Sequence, residues 1–166
     1  MAAHELKQAL TGDSAHAPPR QIIEALSHEL ALRPIPGAPH TIYQELWHIT
    51  FWLQITLDWC RGIETPYPVN PHDAFASYAQ SSVEPWSYVC ERFLRAIDKA
   101  AALTDDEKTL DHVIRCPSRP GALSRTMTVR EQLESLAAHN AYHFGRIVLL
   151  RQLLGAWPPP SGGFTW

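Results

Sequence analysis

Ala138-His139-Asn140-Ala141-Tyr142-His143-Phe144-Gly145-Arg146-Ile147 lies inside a long proline-free stretch and reads as the middle of the last helix of the chain. His139 and His143 are four residues apart. On a helix this spacing stacks two side chains on one face, one turn apart. A helix can present two imidazole nitrogens to a single metal ion in this way. Spacing alone carries little weight, because nine histidines in 166 residues give about half of one such pair by chance. The surroundings add to it. Leu136, Ile147 and Leu150 share the face, with Gln132 further back. Imidazoles among apolar groups cost free energy unless their nitrogens are satisfied.

Working outward, Thr128-Val129-Arg130-Glu131 is a capping box that opens this helix, and Gly155 closes it just after Leu154. Thr41-Ile42-Tyr43-Gln44 is a second capping box. It opens a helix that runs to about Cys60 and stops at Gly62. That helix is apolar nearly all round, so several neighbours or a partner subunit must bury it. Inside it, His48 shares a face with Glu45, Trp52 and Ile55. Two further helices complete the set. One covers Arg20 to Leu32, after Pro18 and Pro19, with an apolar stripe of Ile22, Ile23, Leu26 and Leu30. An earlier helical turn near Glu5 to Leu10 precedes it. The other runs from near Ser82 or Val83 to Leu103, with Pro85 in its first turn and Trp86, Val89, Phe93 and Ile97 on its buried side. Residues 62–81 and 104–127 are long, proline-containing connections, the second with room for a hairpin or a helical turn. The expected class is all-α, a four-helix bundle with long inter-helix loops, formed by residues 1–166 as a single domain. Trp157 and Trp166 in the extended tail are expected to anchor it to the bundle.

Composition narrows the function. Apolar residues make up 45% and charged residues 19%, as in a soluble globular protein. The net charge of −3 and the scatter of Lys and Arg give no reason to expect a nucleic acid or an anionic membrane as partner. Cys60, Cys90 and Cys116 are few, odd in number and widely spaced, which fits a reducing cytoplasm. The N-terminus lacks the apolar segment of a signal peptide, and no run approaches the roughly 20 residues of a membrane span. A cytoplasmic protein is expected.

The candidate chemistry is a metal site of His48, His139 and His143, formed if the two apolar helices face each other. Glu45 to His48 is a Glu-x-x-His step, but no second one exists, since Leu136 and Asn140 stand three before the other two histidines. A diiron carboxylate centre is therefore not expected. His28-Glu29 does not extend to HExxH, because position 32 is Leu. Glu45 is the candidate for orienting a ligand ring or for acting as a base. His4, His16, His40, His72 and His112 fall in loops or near helix ends. Asn140 and Tyr142 flank the ligand pair but leave the helix in other directions.

The stretch Gly37-Ala38-Pro39-His40-Thr41-Ile42-Tyr43-Gln44-Glu45-Leu46-Trp47-His48-Ile49, taken with residues 138–147, resembles the DinB-like (DinB/YfiT) superfamily. The Trp-Pro-Pro-Pro tail is similar too, although Phe164 stands where an acidic residue is commoner in that family. The resemblance implies a four-helix bundle that holds a divalent ion by one histidine of the second helix and two of the last, here His48, His139 and His143. It also implies a homodimer packing helices across a two-fold axis. Members of known activity include transferases and isomerases that use bacillithiol, mycothiol or glutathione. Three neutral imidazoles suit Zn, Ni or Fe. Such an ion activates a bound thiol or a bound water, so three readings stand: a thiol transferase, a hydrolase of a small substrate, and a non-catalytic metal-binding structural dimer. For a thiol's carboxylates, Arg125, Arg146 and Arg151 are the candidate partners.

Overall fold

Both capping boxes form, and they set the ends of the two longest helices. The Thr41 side chain accepts from Gln44 N, and Gln44 Oε1 accepts from Thr41 N at 3.0 Å. Thr128 and Glu131 repeat the exchange, with Glu131 Oε2 2.7 Å from Thr128 N. Each pair satisfies amide donors that the helix itself leaves free. The computed structural model describes residues 1–12 and 15–162. In chain order the helices are α1 (Ala3–Thr11), α2 (Pro19–Ile22), α3 (His28–Leu32), α4 (Ile42–Cys60), α5 (Tyr78–Val83), α6 (Trp86–Ala102), α7 (Glu107–Leu110) and α8 (Val129–Leu153). Strands β1 (Val113–Cys116) and β2 (Arg125–Thr128) form an antiparallel hairpin in which Cys116 faces Arg125 and Val113 faces Thr128. Single 3₁₀ turns occupy Pro71–Ala74 and Leu103–Asp105.

The all-α class read from the sequence is what the chain adopts. α4 packs against α6 and α8, and α1 packs against the same two helices from the other side. Leu46, Ile49, Leu53, Phe93, Leu133, Phe144 and Ile147 fill the space between them, each essentially without exposure. Full burial of one such side chain stabilises by about 1.5–3 kcal/mol. Most of the apolar residues of α4 are covered by the same chain, since α3, α6, α8, β1 and the Pro71–Ala74 turn all touch it, while Trp47, Phe51 and Trp52 stay partly exposed.

Two elements depart from the sequence reading. Residues 20–32 are not one helix. The chain leaves α2 at Ile23, Ala25 takes a left-handed φ of 55°, and Ser27 starts α3 afresh by accepting from Leu30 N at 3.1 Å. The place of an N-terminal bundle helix falls to α1, whose Leu6 and Leu10 are fully buried. The helix expected to continue from Ser82 through Pro85 is also interrupted. Glu84 is extended (φ −99°, ψ 109°), as the residue before a proline prefers, and α6 begins only at Trp86. Three bonds hold the break: Tyr43 Oη donates to Glu84 O, while Trp47 Nε1 and Arg92 donate to the Glu84 carboxylate.

At the C-terminal end of α8, Arg151 is 2% exposed. It donates to the carbonyls of Ile22 (2.6 Å), Gln21 (3.3 Å) and Ala156 (3.0 Å). The cation thus caps the carbonyl end of α2, a favourable dipole arrangement. Trp157 packs on its guanidinium at 5.3 Å and anchors the start of the tail. Phe164 and Trp166 lie outside the described residues. Among those described, no helix is long and apolar enough to cross a membrane.

Candidate metal centre

His48 comes from the middle of α4 and His139 and His143 from the middle of α8, the two helices that face each other. The three are brought together with one ligand atom of each within 4.8 Å of the others. His48 Nε2 and His139 Nε2 are 3.1 Å apart. Two nitrogens on one ion at about 2.0–2.1 Å are separated by roughly 2.9 Å at a right angle and 3.3 Å at the tetrahedral angle. The observed spacing falls between these.

The far side of each ring is engaged. His48 Nδ1 lies 2.8 Å from Ala74 O, and His143 Nδ1 lies 2.6 Å from Glu45 Oε2. Carbonyl and carboxylate oxygens only accept, so both Nδ1 atoms carry a proton, and in the neutral form of each ring the lone pair sits on Nε2. His139 Nδ1 has a longer contact, 3.4 Å, to Asn140 Oδ1. A proton on His139 Nε2 satisfies the contact with His48 but does nothing for His143. A cation satisfies all three, and the donor set fits one.

Burial pushes the His48 pKa down to about 3, helped by the neighbouring His143, His139 and His40 and opposed by the bond to Ala74. Burial, then His143, takes His139 down to about 4. Both are neutral at pH 7, the form that ligates metal. Phe75 lies flat on His48, with centroids 4.0 Å apart and planes 9° apart, and His40 stacks on its other face at 3.9 Å. His40 therefore belongs to the surroundings of the site, with its own pKa lowered chiefly by burial. Ala74 and Phe75 escape a reading of the sequence, since a backbone carbonyl has no signature there.

Glu45 is completely buried. Its Oε1 is 2.8 Å from Arg146 Nη2, an ion pair whose angle falls short of a hydrogen bond. It faces the back of His143, away from the Nε2 side. That is the position of a ring-orienting group. It is not the position of a base facing a substrate. Arg146 and Arg151 are both occupied, by Glu45 and by backbone carbonyls, and neither lines the cavity over the histidines. That cavity measures about 660 Å³. Trp52, Tyr67, Phe75 and Tyr142 supply its aromatic walls, and Arg119 its one charged lining residue among those described. Tyr142 thus reaches the site from beside the ligand pair, and Arg119 goes unnoticed in the sequence. Arg125 lines a smaller cavity of about 160 Å³ that shares Trp52, Tyr67 and His139 with the first.

Elsewhere, His16 is not solvent-facing: it contacts Ala17 O and Ala9 O and packs on Phe144. His4, His72 and His112 are exposed. Burial raises the thiols of Cys60 and Cys90 to about 12 and that of Cys116 above its usual value, so none is a ready nucleophile.

No curated protein matches the chain. The family model of the DinB superfamily matches residues 10–147, a span that contains all three converging histidines, their helices and Glu45. With most of its length matched, the chain belongs to the DinB superfamily.

Proposed function

We propose that His48, His139 and His143 hold one divalent ion and that the protein transfers a low-molecular-weight thiol, of the bacillithiol, mycothiol or glutathione type, to an electrophile in the adjoining cavity. When bound there, the ion would act as a Lewis acid that lowers the pKa of a coordinated thiol. In the transfer the thiol sulfur bonds to the electrophilic atom, the leaving group departs with its electron pair, and the thiol proton passes to solvent. Ala74 O and Glu45 keep the His48 and His143 rings turned toward the common point. Trp52, Tyr67 and Phe75 limit water at the site.

One observation carries the choice of thiol over water: among the described residues, none lining the cavity is Asp or Glu. Hydrolysis by an activated water calls for a general base in reach, and Glu45, the carboxylate bonded to His143, is sealed behind that ring. A thiol with a lowered pKa needs no such base. The ion's identity among Zn, Ni and Fe does not follow from imidazole donors alone.

The test is to mix metal-loaded protein with each of the three thiols and a general electrophile and to follow adduct formation. Thiol-dependent product is expected. Absence of turnover with all three counts against the transfer, ester cleavage without thiol moves the reading to a hydrolase, and silence in both leaves a metal-binding structural role. We also propose that the protein is a homodimer. The support is a pair one turn apart on α8, Leu149 and Leu153, 54% and 61% exposed.

A further inference from the structure

The turn that joins β1 to β2 brings Arg119 into the wall of the cavity over the histidines. Arg119 has no carboxylate in ion-pair range among the described residues, whereas its hairpin neighbour Arg115 faces Glu64 at 3.6 Å. The other lining groups are aromatic or aliphatic side chains and imidazoles, and among the described lining residues no acidic group balances the guanidinium. An ion on the histidines would make the interior more positive still. The volume of about 660 Å³ is in the range that encloses a mid-sized organic ligand.

We propose that this cavity takes a flat apolar molecule carrying one anionic group, a carboxylate or sulfonate, with the anionic end on Arg119 and the rings between Trp52, Phe75 and Tyr142. The inference rests on the reading of the cavity as the substrate site and names the class of electrophile admitted there. Arg119 is then a specificity-determining residue, able to offer a paired-donor fork to a planar anion. The smaller cavity beside His139 also carries an arginine, Arg125, but its volume of about 160 Å³ lies below the usual range of ligand pockets.

The test uses metal-free protein and two probes with one skeleton: 8-anilinonaphthalene-1-sulfonate and its uncharged counterpart N-phenyl-1-naphthylamine, both followed by fluorescence titration. The sulfonate is expected to bind about five- to tenfold more tightly, the range for one charge-assisted contact discounted for exposure. Arg119→Gln should erase that preference and leave the Kd of the uncharged probe unchanged. Arg115→Gln and Arg125→Gln should keep it. Tyr142→Ala, at an exposed position where folding is not at risk, should weaken both probes and so locate them in this cavity. Equal affinity for the two probes in the native protein, a preference that survives Arg119→Gln, an equal loss in Arg125→Gln, or indifference of both probes to Tyr142→Ala would each overturn the proposal. Neither metal nor thiol enters the titration, so its failure is distinct from failure of thiol transfer. A positive titration without thiol turnover leaves the ligand class standing and removes only the chemistry.

Discussion

Glu45 joins two groups that have no other use for each other, the back of His143 and the guanidinium of Arg146. Glu45→Gln keeps the shape and an acceptor for His143 Nδ1 but removes the charge. Metal affinity is expected to drop about 10- to 100-fold, the usual effect of losing a partner that orients a ligand ring. Stability should fall by about 1–3 kcal/mol, because Arg146 is left beside a neutral amide. A competition titration and a urea melt read the two separately, and unchanged affinity would refute the orienting role. His143→Ala should fold and purify without stoichiometric metal by elemental analysis; retained metal would falsify the three-histidine assignment. The same rings set a pH dependence for the metal-free protein. Unfolded histidines take up protons below about pH 6.5, while folded His48 and His139 resist down to about 3 and 4. The unfolded state therefore binds more protons in that window, and stability is lost as the pH falls. Each ring contributes at most about 1.4 kcal/mol per pH unit. Urea midpoints between pH 7 and 5 should decline, and a flat profile refutes the depressed values.

Among the elements, those whose signals are local were legible in the sequence. Thr41 with Gln44 and Thr128 with Glu131 act across three residues, and α4 and α8 start where they indicate. The convergence of His48 with His139 and His143 was legible as well, because imidazoles in mid-helix apolar settings need a partner. What was not legible depends on contacts far along the chain. Pro85 is compatible with the first turn of a continuing helix, and only the bonds from Tyr43, Trp47 and Arg92 to Glu84 show why the chain breaks there. The kink at Ala25 has no signal at all, since alanine favours a helix. Its left-handed φ is strained for a residue with a Cβ. Ala25→Gly is therefore expected to stabilise the protein by about 0.5–1 kcal/mol, the relieved strain exceeding the added freedom of the unfolded chain. A thermal melt checks it, and a lower Tm would contradict the assigned conformation.

On the scale of the molecule, most of α4 is enclosed by its own chain, with Trp47, Phe51 and Trp52 keeping part of their apolar surface open. The argument for association is stronger on α8, where Leu149 and Leu153 remain open one turn apart. A dimer formed there should be visible by light scattering, and Leu149→Glu should shift it to monomer with the helical content kept. A native protein that is monomeric at all concentrations removes this part of the reading. Arg119 and Arg125 both belong to the β1–β2 hairpin region, while the ligand rings belong to α4 and α8. In the proposed reading, selectivity and metal retention would thus be carried by separate pieces of chain.

His48 owes its pose to two consecutive residues, Ala74 through its oxygen and Phe75 through its ring, and both sit at the end of one short turn in the long loop ahead of α5. Neither belongs to a bundle helix. Redrawing that loop, by length or by a change of its prolines, would unmoor one corner of the tripod while the helices stood intact. Metal retention at the proposed site would then be sensitive to a segment outside the helices that supply the three rings.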